Sequence, residues 1–425
     1  MDQLFDASSK WAQNQISDCL NSHEGCQISE DVSFTPSRLI NVSIGKLGED
    51  VVLEDNTSIS PGSAYVALSY CWGGYDPDCM TTADSLEENM RRIPWSKLPA
   101  TFKDAVKFTR SLDIKYLWID SVCIIQRDKR DWHQQARLMQ NVYKYSHVTL
   151  AALHGSSSKS GLRSTSMENE LTKVVELSLG DHRWPVYTRL PHHLQFDIYP
   201  DTYEKIKERS PLLSRAWAYQ ERMISPRVLY FTESEIIFQC FTHSTCECGA
   251  LKYDDLQTQK PCSILWGHLY MLENDIRGIQ ESTIKHDDAW RQIATEWRDD
   301  IVKGYSGLLV TKPEDKLMAL GTMTSQFQKL RPRETYLAGL WLGSLIEDLL
   351  WFNLFHEGAY GESPESAKVR YGNEVKRVAG VLDGVLARSA WLVGDKCTYA
   401  DLAFTMWNMQ VAFFMGSRTG EKIEQ

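Results

Sequence analysis

Three apolar stretches punctuate residues 65–153, and two helical patterns separate them. Tyr65-Val-Ala-Leu-Ser-Tyr70, Lys115-Tyr-Leu-Trp-Ile-Asp120 and His147-Val-Thr-Leu-Ala-Ala-Leu153 each read as a short buried strand. After the first, Thr101-Phe-Lys-Asp104 has the spacing of a helix N-terminal cap with a proline just ahead. Phe102, Ala105, Val106, Phe108 and Thr109 then keep to one helical face. The second helical pattern runs from Trp132 to Tyr145, with Leu138, Met139 and Val142 as its apolar face. Strands alternating with helices of this length require crossover connections, so an α/β fold with a parallel sheet flanked by helices is expected. Such sheets bind ligands beyond the carboxyl ends of their strands. Here those ends are Cys71-Trp-Gly-Gly74, Asp120-Ser-Val-Cys123 and His154-Gly155.

At 425 residues the chain exceeds one ordinary core, and two or three domains are expected. A formal charge of -10 leaves no basic face for nucleic acid or an anionic membrane surface. The start, MDQLFDASSKW, places an acid where a signal peptide needs basic residues. No stretch approaches the roughly 18 uninterrupted apolar residues of a membrane span. Ten cysteines without dense spacing fit reduced thiols. The expectation is a soluble, cytoplasmic protein.

Residues 1–64 form an N-terminal extension, with a helical start from Trp11 to Leu20, a short strand at Arg38–Val42 and a solvated acidic loop at Glu49–Asn56. A serine-rich break, Gly155–Ser166, closes the first block. Arg215-Ala-Trp-Ala-Tyr-Gln-Glu-Arg222 then reads as a helix starting near Ser214, with Trp217, Gln220 and Glu221 sharing a face. Arg227–Phe231 and Ile236–Cys240 read as a strand pair around a turn. Residues from about 262 to 350 read as mostly helical, ending in the apolar Leu337–Leu350.

Three long blocks carry a family resemblance. YVALSYCWGG, then LPATFKDAVKFTRSLDIKYLWIDSVCIIQRDKRDWHQQARLMQNVYKYSHVTLAALHGSSSKSGL, then PLLSRAWAYQERMISPRVLYF resemble the fungal heterokaryon-incompatibility (HET) domain, in that order. TKPEDKLMALGTM and YLAGLWLGSLIEDLLW look like the helical region that follows it. The resemblance implies a HET domain at 65–240 and a helical region at 241–350. It also implies a role in fungal non-self recognition and regulated cell death, and a fold distantly similar to TIR domains, some of which cleave NAD. Residues 351–425 resemble the C-terminal half of a fungal glutathione S-transferase, through Phe352-Asn-Leu-Phe-His356, Arg370–Val378 and Trp391–Ala403. There Thr398-Tyr-Ala-Asp401 is a capping box, with Gly394 permitting the turn ahead of it. Nothing resembles the thioredoxin-like half that holds most of that family's glutathione site, so transferase activity is not expected. A helical remnant used for packing or dimerisation is.

The TIR analogy asks for a carboxylate at the nicotinamide ribose, usually a glutamate in a segment of the type Asp-Trp-x-x-Glu. This chain reads Asp131-Trp-His-Gln-Gln135. An amide at Gln135 can bond ribose hydroxyls but is not a base, which should weaken NAD cleavage unless Glu221 substitutes by convergence of the two helices. The catalytic candidates are therefore Glu221, Asp120 and Gln135. The ligand-binding candidates are Tyr70, Trp72, Gly73, Arg215, Trp217, Gln220 and Arg222, the arginines as bidentate phosphate ligands or as ordinary ion-pair partners. Cys71 and Cys123 are strand-end thiols, with His154 as a base across the sheet ends. Cys19, His23 and Cys26 lack an evident fourth ligand. The spacing of Cys240, His243, Cys246 and Cys248 matches no familiar zinc module. Both groups read as reduced thiols, with no metal. No resident cofactor is expected, and NAD is a candidate substrate. The expected partners are a nucleotide or metabolite and a protein partner or second copy, with no nucleic acid and no membrane. Two alternatives stand beside the cell-death reading: a natural-product enzyme using the same pocket, and a non-catalytic scaffold with a dimerising tail.

Overall fold

The computed structural model describes residues 3–23, 26, 34–44, 49–162, 172–179, 182–189, 210–233, 235–249, 252–253, 290–344 except 292, 313–314 and 338, and residue 348. The chain divides into two compact units, Met1–Tyr199 with Tyr203–Arg277 and Leu308–Thr311, and Pro200–Thr202 with Gly278–Gly307 and Lys312–Gln425. The transferase-like segments beyond residue 350, with Gly394 and the Thr398–Asp401 box, lie outside the described residues.

In the first unit the strands are β1 (Arg38–Asn41), β2 (Val52–Asp55), β3 (Tyr65–Ser69), β4 (Tyr116–Trp118), β5 (Val148–Ala152), a separate hairpin β6 (Thr172–Leu179) and β7 (His182–Arg189), then β8 (Arg227–Phe231), β9 (Ile236–Cys240), β10 (Ser244–Cys246) and β11 (Lys252–Tyr253). The helices are α1 (Gln3–Ser22), α2 (Leu86–Arg91), α3 (Ala100–Ser111), α4 (Asp120–Cys123), α5 (Lys129–Lys144) and α6 (Ala216–Ile224). Nine strands form one sheet in the order β11-β10-β9-β8-β5-β3-β4-β1-β2. Its centre, β4-β3-β5-β8, is parallel, in register Val66 to Leu117, Val66 to Val148 and Thr149 to Val228. Antiparallel strands extend both edges. The protein is thus mixed α/β, with the expected parallel strands at the core of a larger sheet.

All five residues of β3, β5 and β8 are buried, as strands covered on both faces must be. α1 packs on α3, and α5 on α6. Right-handed crossovers place α3 and α5 on opposite faces. In chain order the parallel strands run 2-1-3-4, so the direction of winding reverses at β3. Beyond the ends of β3 and β5, that switch point is the place where open sheets of this kind bind ligands.

Several expectations change here. Glu49–Asn56 is no solvated loop: Val51 and Leu53 are buried, and residues 52–55 pair with β1 while Glu54 accepts from the Tyr116 hydroxyl at 3.0 Å. Burial alternates along it, with Val51 and Leu53 buried and Val52 and Glu54 only partly so, as a half-buried edge strand requires. Thr101 and Asp104 do not cap α3, whose N-cap is Pro99. They accept instead from the backbone N–H groups of Gly161 and Leu162, at 3.1 and 3.0 Å, and tie down the serine-rich loop. On α5 Met139 and Val142 are buried as expected, joined by Gln135 and Tyr143, while Leu138 is only half-buried. Asp120–Cys123 is a single helical turn.

In the second unit, short helices at Lys303–Ser306 (α7), Asp315–Met318 (α8) and Gly321–Leu330 (α9) accompany a π-helical turn at Trp297–Val302. A hairpin of β12 (Tyr336–Leu337) and β13 (Leu340–Trp341) stands where the apolar run predicted helix. Gly339, at φ +111, makes its turn. Trp297 is fully buried against Phe327, Tyr336 and Trp341, at ring separations of 4.9, 6.0 and 5.5 Å. Among the described residues no helix is long and apolar enough to cross a membrane.

Candidate functional site

The end of β3 delivers Ser69, Tyr70, Cys71 and Trp72 in succession, and alternation sends them to different places. The Ser69 hydroxyl donates to Glu221 Oε2 from α6. Tyr70 turns inward, its ring edge-on to Phe102 at 5.0 Å and its hydroxyl donating to Ser121 Oγ at 2.9 Å. Cys71 joins an apolar cluster with Ala151, Leu153, Leu212 and Tyr230. The Trp72 indole N–H donates to Asp120 Oδ2 at 2.7 Å, while the Ser121 N–H donates to Oδ1 at 2.6 Å.

The two glycines after them differ. Gly73 sits at φ +82, and a Cβ there would lie 2.1 Å from the Cβ of Ser157. Gly74 has φ +75 and open space around it. Close approach of the serine-rich loop therefore explains Gly73, and left-handed backbone alone explains Gly74.

Arg215 immediately precedes α6, and its guanidinium donates to the Tyr70 carbonyl at 2.7 Å. It also lies near enough to Glu221 and Asp120 to act on both charges. The Tyr143 hydroxyl of α5, 3.1 Å from the Leu68 carbonyl, reaches the same carboxylate. Burial pushes Glu221 up to about 7, helped by the charge of Asp120 and opposed by Ser69, Arg215 and Tyr143. Burial also raises Asp120, against the donors Trp72, Tyr70 and Ser121 and the charge of Arg215. The result is two desolvated carboxyls with one guanidinium, a grouping that can hold a proton at neutral pH and bind hydroxyl or phosphate oxygens. Trp72, Asp120 and Arg215 are half-buried, and Gly73 and Gly74 are exposed, so the cluster meets solvent at the rim of the sheet.

The candidate residues separate. Tyr70, Trp72, Asp120, Arg215 and Glu221 come together. Gln135 does not join them: its amide donates to Ser37 Oγ at 3.1 Å and to Asp131 Oδ1 at 3.5 Å. Asp131 in turn accepts from Arg38 and from the Ile125 N–H. Gln135 lies eight residues from Tyr143, about 12 Å along α5. α5 and α6 do converge, but through Tyr143. Gln220 is buried, and among the described residues its Oε1 has no hydrogen-bond partner. Trp217 is half-buried, and the Arg222 guanidinium stacks over Tyr219 at 5.6 Å.

Among the described residues neither Cys71 nor Cys123 pairs with His154. His154 Nδ1 sits 3.4 Å from the Phe231 carbonyl, and burial lowers its pKa. Cys71 is raised by burial, and Cys123 is pushed up to about 12 for the same reason. Ser69 and Tyr143 were missed. Ser69 was hidden as an ordinary strand residue, and Tyr143 could be found only from the helix partner it faces.

The comparisons with known proteins follow this division. Residues 65–221 match the family described as heterokaryon incompatibility protein (HET), and residues 342–422 match the glutathione S-transferase C-terminal domain. Among characterised relatives, Heterokaryon incompatibility protein 6, OR allele, of Neurospora crassa is 30% identical over 102 residues, covering 22% of this chain and 15% of that protein. Glutathione S-transferase 2 of Schizosaccharomyces pombe is 46% identical over 66 residues, covering 16% of this chain and 27% of its own. The Glutathione S-transferase-like protein gedE of Aspergillus terreus is 38% identical over 82 residues, 17% and 34%. The chain thus spans about a third or less of each of these relatives. No solved structure matches it. The chain thus carries a HET domain at residues 65–221 and a glutathione S-transferase C-terminal domain at residues 342–422.

Proposed function

We propose that the rim at the ends of β3 and β5 is a nucleotide pocket, and that Glu221 is its acid–base residue in cleavage of NAD at the nicotinamide ribosyl bond. The observation that carries this reading is the buried Glu221 carboxyl, held near pH 7 between Ser69, Tyr143 and Arg215 at the topological switch point. As a carboxylate it stabilises positive charge developing on the ribose, which an amide cannot do. Asp120, oriented by Trp72 and Ser121, accepts a ribose hydroxyl, and Arg215 at the rim faces the pyrophosphate. Nicotinamide leaves, and water adds to the ribosyl carbon. In an incompatibility-type protein, NAD loss is a direct route to cell death. The transferase-like tail acts in packing or dimerisation.

Nicotinamide release from NAD by the full chain tests the assignment. Glu221→Gln should lower the rate at least about 100-fold, as loss of a positioned acid or base does. Activity that is unaffected by Glu221→Gln and rises in Gln135→Glu would return the chemistry to α5 and overturn the role given to Glu221. A wild-type chain that neither cleaves nor binds NAD would overturn the nucleotide reading itself.

A further inference from the structure

At the opposite edge of the sheet, where β9 ends and β8 begins, four soft ligands from distant parts of the chain meet. Cys19 occupies the last turn of α1, and His23 follows one helical turn later, so both project from one side. Backbone bonds from His23 N–H to the Cys19 carbonyl (3.1 Å) and from Cys26 N–H to the His23 carbonyl (3.0 Å) curl the chain back on itself. Cys240, the last residue of β9, supplies the fourth group, with its Sγ 3.3 Å from His23 Nδ1. The three sulfurs and the imidazole nitrogen all lie within 4.8 Å of one another. A tetrahedral zinc site with Zn–S bonds of about 2.3 Å places neighbouring ligand atoms about 3.7 Å apart, so a small contraction completes the geometry.

We propose that Cys19, His23, Cys26 and Cys240 bind one Zn²⁺ in a closed Cys₃His site that clamps the end of α1 to β9. The three cysteines are buried and none is in a disulfide. Three thiolates and a neutral imidazole saturate a tetrahedral ion and leave no open position, so the role is structural. The surroundings suit a site of net negative charge. The Thr242 hydroxyl lies 3.4 Å from Cys26 Sγ and 3.5 Å from Cys240 Sγ, placed to donate to thiolate sulfur. The buried Arg227 guanidinium donates to the carbonyls of Cys26 (3.4 Å) and His147 (2.7 Å) and brings a positive charge beside the cluster. Such outer contacts orient ligands and tune the metal.

The motif was invisible as a motif because its ligands come from segments more than 200 residues apart, with Cys26 and Cys240 adjacent only in the fold. The compact run Cys240 to Cys248 is split by the structure. Cys240 goes to this cluster, whereas Cys246 and exposed Cys248, with sulfurs 3.2 Å apart, sit with Glu235.

Metal analysis of the full chain, purified without added metal or chelator, tests the proposal. The expected content is about one zinc per chain, falling below about 0.1 in Cys26→Ser and Cys240→Ser and unchanged in Cys248→Ser. Cobalt substitution gives a second readout: the intense visible bands of tetrahedral thiolate-bound cobalt, retained but shifted in His23→Cys, which keeps four ligands. If the serine variants do not fold, the wild-type zinc content and the His23→Cys spectrum decide alone. A folded wild type without zinc, a disulfide among Cys19, Cys26 and Cys240, or zinc lost only in Cys248→Ser would each overturn the site.

Discussion

Glu221→Gln should make this protein more stable at pH 8 while removing its proposed chemistry. The folded carboxyl titrates near 7, against 4.5 for an ordinary glutamate, because burial disfavours its charge. Below pH 4.5 both folded and unfolded states hold the proton, and the group contributes nothing. Between 4.5 and 7 the unfolded chain releases it while the folded chain keeps it, so stability falls as pH rises. Above 7 the loss is complete, at about 3 kcal/mol for a shift of this size. Asp120, also raised, acts in the same direction. Glutamine carries no charge at any pH and still accepts from Ser69. Urea denaturation at pH 5 and pH 8 should therefore show the variant gaining about 2–3 kcal/mol over wild type at pH 8 and little at pH 5. Parallel pH profiles for the two proteins would refute the neutral-pH titration of Glu221, and with it the argument that this carboxyl is held for function at a cost in stability.

Gly73→Ala should be the most damaging single methyl at the rim. At φ +82 a side chain costs about 1–2 kcal/mol, and overpacking against Ser157 adds about 1–3 more. The loop cannot simply step aside. It is tied by Thr101 N–H to the Ser158 carbonyl (3.0 Å), by Ser158 Oγ to the Tyr75 hydroxyl (2.8 Å), and by Lys159 over the Tyr75 ring (4.0 Å). Gly74→Ala shares the backbone penalty and lacks the collision, so it should cost about 1 kcal/mol. Equal losses in the two variants, measured by denaturation, would mean that the contact with Ser157 is not tight. In Gly73→Ala the displaced backbone also carries Trp72 away from Asp120, so the proposed nucleotide binding should weaken more than in Gly74→Ala.

The parallel core was legible because hydrophobic period and turn chemistry are local. Tyr65–Ser69, Tyr116–Trp118 and Val148–Ala152 are strands because continuous apolar runs between helical patterns have no other good burial. The rim followed from topology, which is why Tyr70, Trp72 and Asp120 were placed at the strand ends, whereas Arg215 and Glu221 came from the separate helical pattern at 215–222. The antiparallel edge at Val52–Asp55 was not legible, since acidic residues on an edge strand look like a loop. Nor was the hairpin at 336–341, where tertiary packing around Trp297 outweighs the helical reading of an apolar run.

What the sequence determined by itself is the α/β frame, the sheet edge that carries the candidate site and the family resemblance of its blocks, all properties of contiguous residues. Only the tertiary structure decided which side chains meet. It joined Ser69 and Tyr143 to Glu221, left Gln135 with Ser37 and Asp131, and brought Cys240 to Cys19, His23 and Cys26. The reason is physical. Local pattern fixes where a residue sits along a strand or helix, whereas pKa, metal geometry and close approach depend on a few ångströms between segments far apart in the chain.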